Sequence, residues 1–161
     1  PILMFPGGDY ESLRPIWKAN VVDFGGRKGF LRIARRAQVP IVPMGIAGSH
    51  YTAPMLLRAR WLAKLLPGVW PLRIKRWGVS VLGVAGTLGI AFLPIGVPWR
   101  LALAVLWLGT PLTFLPWIPW TVRFQVGDII EPEELFDDGD DALHGALSLV
   151  ERRIEALVRS A

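Results

Sequence analysis

Two short glycine-rich segments hold the residue types best suited to chemistry. They are Phe5-Pro6-Gly7-Gly8-Asp9-Tyr10-Glu11-Ser12 and Gly25-Gly26-Arg27-Lys28-Gly29. A strand ending in Pro-Gly-Gly exposes backbone N–H groups at a tight turn, which can bind an anionic or ester oxygen. The second segment opens a helix, where the helix dipole and two cations add positive potential. Phe5, Pro6, Gly7, Gly8, Asp9, Glu11, Arg27 and Lys28 are therefore the candidate substrate-binding residues. Asp9 and Glu11 either hold a ligand hydroxyl or cap the turn. Arg27 and Lys28 either hold a phosphate, or form a plain surface pair at a helix start. Glycine-rich turns are common structural devices, so neither segment identifies a reaction by itself.

Other reactive chemistry is scarce. The chain has 161 residues and no Cys, which excludes disulfides, thiolate metal sites and a cysteine nucleophile. It has 2 His, too few for a His-rich metal centre, and no metal is expected. His50 either lines the site or is a structural hydrogen-bonding residue. Ser12 and Ser49 lack a nearby base to activate them. The acids of residues 131–141 do not follow calcium-loop spacing.

The elements that must position these residues follow from periodicity. Ile2-Leu3-Met4-Phe5 reads as a buried strand running into the first turn. Residues 9–24 read as loop with one helical turn. Residues 27–37 form a helix, with Phe30, Ile33, Ala34 and Ala37 on one face and Arg32, Arg35 and Arg36 on the other. Residues 39–46 form a second strand, which Pro40 and Pro43 assign to an edge or a strand start. Residues 53–66 read as a cationic amphipathic helix stopped by Pro67-Gly68. Such a helix lies in a membrane interface or packs its apolar side on a core. Residues 121–130 alternate, setting Val122, Phe124 and Val126 against Arg123, Gln125 and Gly127, as a strand with one buried face does. Residues 142–159 form a helix with a Leu143, Leu147, Val150, Ile154 and Leu157 stripe, capped by Asp140 or Asp141. The expected fold is one α/β domain over residues 1–161, a mixed sheet flanked by helices. A hydrophobic helical hairpin is inserted at residues 78–120.

That insertion is the strongest physical signal in the chain. Gly78 to Trp99 carries no charged residue, and neither does Leu101 to Val122; only Arg100 separates them. Each run could cross a bilayer core, which takes about 20 helical residues. Pro94, Pro98, Pro111, Pro116 and Pro119 interrupt them, so a hairpin at about 79–95 and 100–115, spanning or re-entrant, fits better than two straight helices. Arg73, Lys75 and Arg76 precede it and Arg123 follows, which places both ends on the cytoplasmic side. Trp70, Trp77, Trp99, Trp117 and Trp120 cluster near the interfaces, where indole is favoured. The competing reading is a hydrophobic soluble core with a proline-rich loop.

Composition agrees with a membrane setting. Hydrophobic residues make up 52 % and charged residues 19 %, against about 25 % charged in ordinary soluble domains. Mean hydropathy is +0.40, which excludes a disordered chain. The net charge of +5 is unevenly spread. Residues 1–76 hold 13 Lys and Arg against 3 acids, whereas residues 128–161 hold 3 Arg against 10 acids. No nucleic-acid motif or basic–aromatic array accompanies the cations, so membrane lipids are the expected partner and nucleic acid is not.

Taken together and in order, three segments resemble the phospholipid and glycerol acyltransferase family. Met4-Phe5-Pro6-Gly7-Gly8-Asp9-Tyr10-Glu11 is similar to the PGG form of the family's FPEGTRS block, found in its diacylglycerol-type branch. Residues 26–34, Gly-Arg-Lys-Gly-Phe-Leu-Arg-Ile-Ala, resemble that branch's RKGF segment. Val39-Pro40-Ile41-Val42-Pro43-Met44 resembles the VPIVPV block. The resemblance covers about residues 1–50, with a looser likeness at 115–132. It implies transfer of a fatty acyl group from acyl-CoA or acyl carrier protein to a hydroxyl of a lysophospholipid or glycerolipid. Acyl-CoA or acyl carrier protein is then a co-substrate, and no cofactor is implied. The family's catalytic HxxxxD box lies well upstream of the FP-G block. Neither His50 nor His144 has an Asp five residues on, so the catalytic His and Asp are expected before Pro1, and none is assigned within the chain. Gly7 and Tyr10 stand where FPEGTRS has its Glu and Arg, which argues against a glycerol-3-phosphate acceptor. The alternative is a lipid-binding or membrane-anchoring module without catalysis.

Overall fold

The computed structural model describes residues 2–66, 69, 71, 75–136 and 142–161. The first elements are helix α1 (Gly8–Ser12), helix α2 (Gly29–Ala37), strand β1 (Met44–Ala47), helix α3 (Ser49–Thr52), strand β2 (Met55–Ala59) and helix α4 (Arg60–Leu65). Then come strand β3 (Trp77–Ser80), helix α5 (Val81–Ala91), helix α6 (Val97–Leu108), strand β4 (Arg123–Val126), helix α7 (Pro132–Leu135) and helix α8 (Ala142–Ser160). They form two compact units. The first comprises Pro1–Glu11, Asn20–Gly48 and Thr121–Ala161, and the second Ser12–Ala19 and Ser49–Trp120.

The architecture is mixed α and β, but the expected single mixed sheet is replaced by two antiparallel two-stranded sheets, β1–β4 and β2–β3. The strands are only four or five residues long. Upstream of β1, Pro40 and Pro43 lack the N–H a ladder needs. There Ile41 and Ile130 exchange both backbone hydrogen bonds at 3.0 and 2.9 Å, and the Pro43 carbonyl accepts from Gly127 N at 2.9 Å. Ile2–Phe5, expected as a buried strand, pairs with no strand among the described residues and is exposed, Ile2 by 83 % and Phe5 by 68 %. An apolar run specifies a strand only where a neighbouring edge is there to pair with it.

In the first unit, α8 lies across the β1–β4 sheet. Gly45 makes this possible, since a Cβ there would sit 2.7 Å from the Leu157 Cβ. The core is Val22, Phe24, Leu31, Ile130, Leu147 and Val150, among others, with Phe24 and Phe30 edge to face at 5.8 Å. On α2 the buried residues are Leu31 and Ala34, while Ile33 is exposed. On α8 Val158 is buried, and Leu157 is half-buried against Gly45 and Gly127. The alternation expected along β4 is present with its face reversed. Phe124 and Val126 are exposed, whereas Gln125 pairs with Gly45 and its Oε1 accepts from Ser160 Oγ at 2.8 Å. A period of two fixes alternation and not which face meets the core.

In the second unit, the expected helix over 53–66 is instead β2 followed by α4. Pairing of Leu57, Arg58 and Ala59 with Val79, Gly78 and Trp77 overrides the helical spacing of the leucines. Leu62, Ala63, Leu66, Val69 and Trp77 form the core. Trp77 is 1 % exposed, stacks on Phe114 at 4.6 Å, and donates its indole N–H to the Leu108 carbonyl at 2.7 Å. The Ser80 hydroxyl caps α5, accepting from Gly83 N at 2.9 Å while donating to the Thr113 carbonyl. α5 and α6 are shorter than expected, since Phe92–Gly96 takes up Pro94 as a turn and Pro98 sits in the first turn of α6. They pack on each other through Gly86, where any Cβ would strike the Trp107 ring, and through Trp107 Nε1, which donates to the Gly83 carbonyl at 3.0 Å. Among the described residues no helix is long and apolar enough to cross a membrane. The Pro67-Gly68 stop, Trp70, Arg73 and the Asp140 or Asp141 cap lie outside the described residues.

Candidate functional site

The two glycine-rich segments meet in the first unit, and Arg27 joins them. One guanidinium nitrogen, Nη1, donates to the Pro6 carbonyl at 3.3 Å and also to the Gly7 carbonyl. The other, Nη2, pairs with Asp9 Oδ1 at 2.6 Å. A planar fork with donors on both nitrogens suits these clustered acceptors in a way a lysine ammonium does not. The turn that presents them is tight. Gly8 has φ +47°, a conformation that disfavours any residue with a Cβ. A Cβ on Gly8 would also lie 3.0 Å from Arg27 Nη1. Gly7 is buried, and a Cβ there would strike the Glu11 side chain.

The first turn closes on itself. Gly8 N donates to the Phe5 carbonyl at 3.3 Å, and Tyr10 N and Glu11 N donate to the Gly7 carbonyl at 3.1 and 3.4 Å. The carbonyls of this turn are thus its main link to Arg27, where the sequence pointed to its N–H groups. Arg27 consequently acts first as the residue that shapes the turn.

A second tie runs through Asp23. Its Oδ1 accepts from Gly25 N at 2.7 Å, fixing the Gly25-Gly26 turn, and its Oδ2 accepts the Tyr10 hydroxyl at 3.0 Å. Glu151 on α8 then anchors the same turn, its Oε1 accepting from Phe24 N at 2.7 Å. Tyr10, Asp23 and Glu151 were not among the candidate binding residues, although Tyr10 stands where FPEGTRS has its Arg. Asp23 followed two residues later by Gly25 is a legible side-chain turn signal. Glu151 lies 127 residues from Phe24 and leaves no local trace.

Of the eight expected binding residues, the structure brings Pro6, Gly7, Gly8, Asp9, Glu11 and Arg27 together. Phe5 is exposed at the entry to the turn. Lys28 is half-buried at the N-cap of α2, which has no side-chain cap, and the Lys28 ammonium makes no ion pair among the described residues. Its ammonium can meet an anion beside the first-turn N–H groups of α2. His50 lies on α3 and His144 is exposed on α8. Among the described residues no cluster of His, Asp and Glu could hold a metal ion. No protein-family model, curated protein or solved structure matches the chain.

Proposed function

We propose that the chain is the C-terminal part of a membrane-associated glycerolipid acyltransferase. It moves a fatty acyl group from acyl-CoA or acyl carrier protein to a hydroxyl of a lysophospholipid or glycerolipid. The observation that carries this is the Arg27 clasp. Two segments resembling two blocks of one family lie 20 residues apart, and a single side chain ties them into one site. Their joint use is what a shared substrate pocket requires.

On this reading the general base lies upstream of Pro1, as a His oriented by an Asp. The His takes the proton of the acceptor hydroxyl as its oxygen attacks the thioester carbonyl, and the thiol of the donor departs. Arg27 keeps the Pro6-Gly7-Gly8 turn in shape, and Asp9 and Glu11 border the acceptor's approach. Lys28 and the start of α2 face a phosphate of donor or acceptor. Gly7 and Tyr10, in place of the Glu and Arg of FPEGTRS, favour an acceptor other than glycerol 3-phosphate. The apolar residues of 81–108 serve as the inserted membrane hairpin, with the site on the cytoplasmic side.

The exposed apolar surface of α5 and α6 equally suits a lipid-binding module without catalysis. Assaying the complete protein with labelled acyl-CoA and acyl carrier protein, against lysophospholipid and diacylglycerol acceptors, separates the two. Acyl transfer that falls in Arg27→Ala supports the enzyme. Lipid binding with no transfer to any acceptor supports the module.

A further inference from the structure

The second unit carries nine Lys and Arg and no Asp or Glu. All thirteen acids of the chain belong to the first unit. Within this basic unit, α5 and α6 are apolar on every side, and their outer residues are open. Phe92 is 87 % exposed and Trp99 70 %, and Leu88, Val97, Leu101 and Leu106 are exposed with them. Helices of this kind are ordinarily buried in protein or in lipid.

Several polar groups of the pair are satisfied from within, as hydrocarbon favours. Trp107 Nε1 and Thr87 Oγ1 both donate to the Gly83 carbonyl, at 3.0 and 2.8 Å. The turn between the helices is held by Phe92 N to Gly89 O, Leu93 N to Ile90 O and Trp99 N to Gly96 O. Arg100, the single charge in the pair, donates through Nε to the Ile95 carbonyl at 2.9 Å. The far end is marked by Trp77, whose indole N–H ties the C-terminus of α6 to β3. Lys75 and Arg76 directly precede that tryptophan and stand at the base of the pair, while Arg100 lies near its tip, where Phe92 and Leu93 are exposed.

Length decides how far the pair can reach. Its helices have 11 and 12 residues, or roughly 16–18 Å at 1.5 Å per residue. A bilayer's hydrocarbon core is about 30 Å thick. We propose that the Val81–Leu108 helix pair enters a single leaflet of an anionic membrane without crossing it, while Lys75 and Arg76 at its base meet the head-group phosphates. This rests on the lipid-facing function proposed above and names the surface that makes the contact and its depth.

The chain itself contains no Cys, so any native cysteine of the complete protein outside it is replaced by serine before labelling. Leu93→Cys at the tip and Ser148→Cys on α8, each in the complete protein and bearing an environment-sensitive fluorophore, are mixed with vesicles. One set is zwitterionic and the other holds about 30 mol % phosphatidylserine. The expected result is preferential binding to the anionic set, weakened as salt rises from about 0.1 to 1 M. The tip probe should be quenched by chain-borne nitroxide and shielded from aqueous quencher on either side of the vesicle, while the α8 probe stays wet. Leu88→Asp with Leu106→Asp, both at exposed positions, should lower vesicle binding at least about tenfold. Vesicle binding with a wet tip would overturn the insertion and leave the lipid-facing function standing. A tip reached by quencher trapped inside the vesicle would overturn the single-leaflet depth. No vesicle binding, with the pair buried in a stable oligomer, would overturn both.

Discussion

Arg27 has acceptors of two kinds, and they contribute unequally. Its pair with Asp9 is part-exposed, with side-chain exposures of 40 and 29 %, so it is worth about 0.2–1 kcal/mol. Its bonds to the Pro6 and Gly7 carbonyls hold a part-buried turn around the buried Gly7, where losing a charged partner costs about 1.5–3 kcal/mol. Asp9→Asn should therefore lower stability by less than about 1 kcal/mol, and Arg27→Ala by about 1.5–3 kcal/mol, measured by denaturant unfolding. Equal losses would mean that the carbonyl contacts contribute nothing. Gly8→Ala should cost about 1–2 kcal/mol because of its positive φ, and Gly8→Asn less, since asparagine tolerates that region. The sequence exposes the two turns and their charges, because glycine and the cations are local signals. It hides the direction of the hydrogen bonding, since nothing local says whether a turn offers its N–H groups or its carbonyls to the next segment.

At the scale of elements, two ties decide whether the site's supports hold. Glu151 on α8 carries the Phe24 N–H. Glu151→Ala should cost about 1.5–3 kcal/mol and raise hydrogen exchange at Phe24, whereas Glu151→Gln, which keeps an acceptor oxygen, should cost less. Ser80 both caps α5 and donates to Thr113, so Ser80→Ala should cost about 1–3 kcal/mol. Helices were legible where a stripe and its boundaries were both present. α2 and α8 lie within a few residues of their expected limits, although α2 buries Leu31 in place of Ile33. Strands were legible in spacing and not in partner or face. Phe124 and Val126 alternate correctly and point away from the core. The leucines of 53–66 fit a helix until β3 is there to pair with their first half. The partner lies about 20 residues on, beyond the reach of any window of local periodicity.

Across the whole molecule, the split of charge follows the split into units. The basic half of the sequence is interrupted by the acids Asp9, Glu11 and Asp23, and all three belong to the first unit, with Arg27 and Lys28. The second unit keeps cations and apolar helices alone. The ion pairs of Arg27 with Asp9, Arg153 with Glu134 and Arg159 with Glu155 all lie in the first unit, and α5 and α6 of the second present exposed apolar residues. This division suits an enzyme that handles a polar head group and an acyl chain with different parts of one chain. Gly7 offers the most direct test of the site. Gly7→Val in the complete protein places side-chain atoms against Glu11 and deforms the turn that Arg27 holds. With circular dichroism unchanged, the rate of acyl transfer from acyl-CoA to a lysophospholipid or diacylglycerol should fall at least about tenfold, the loss of about 1.4 kcal/mol of transition-state binding. A rate within about twofold of the unaltered protein, a difference of less than about 0.5 kcal/mol, would contradict the assignment of these turns to the acyl-transfer site.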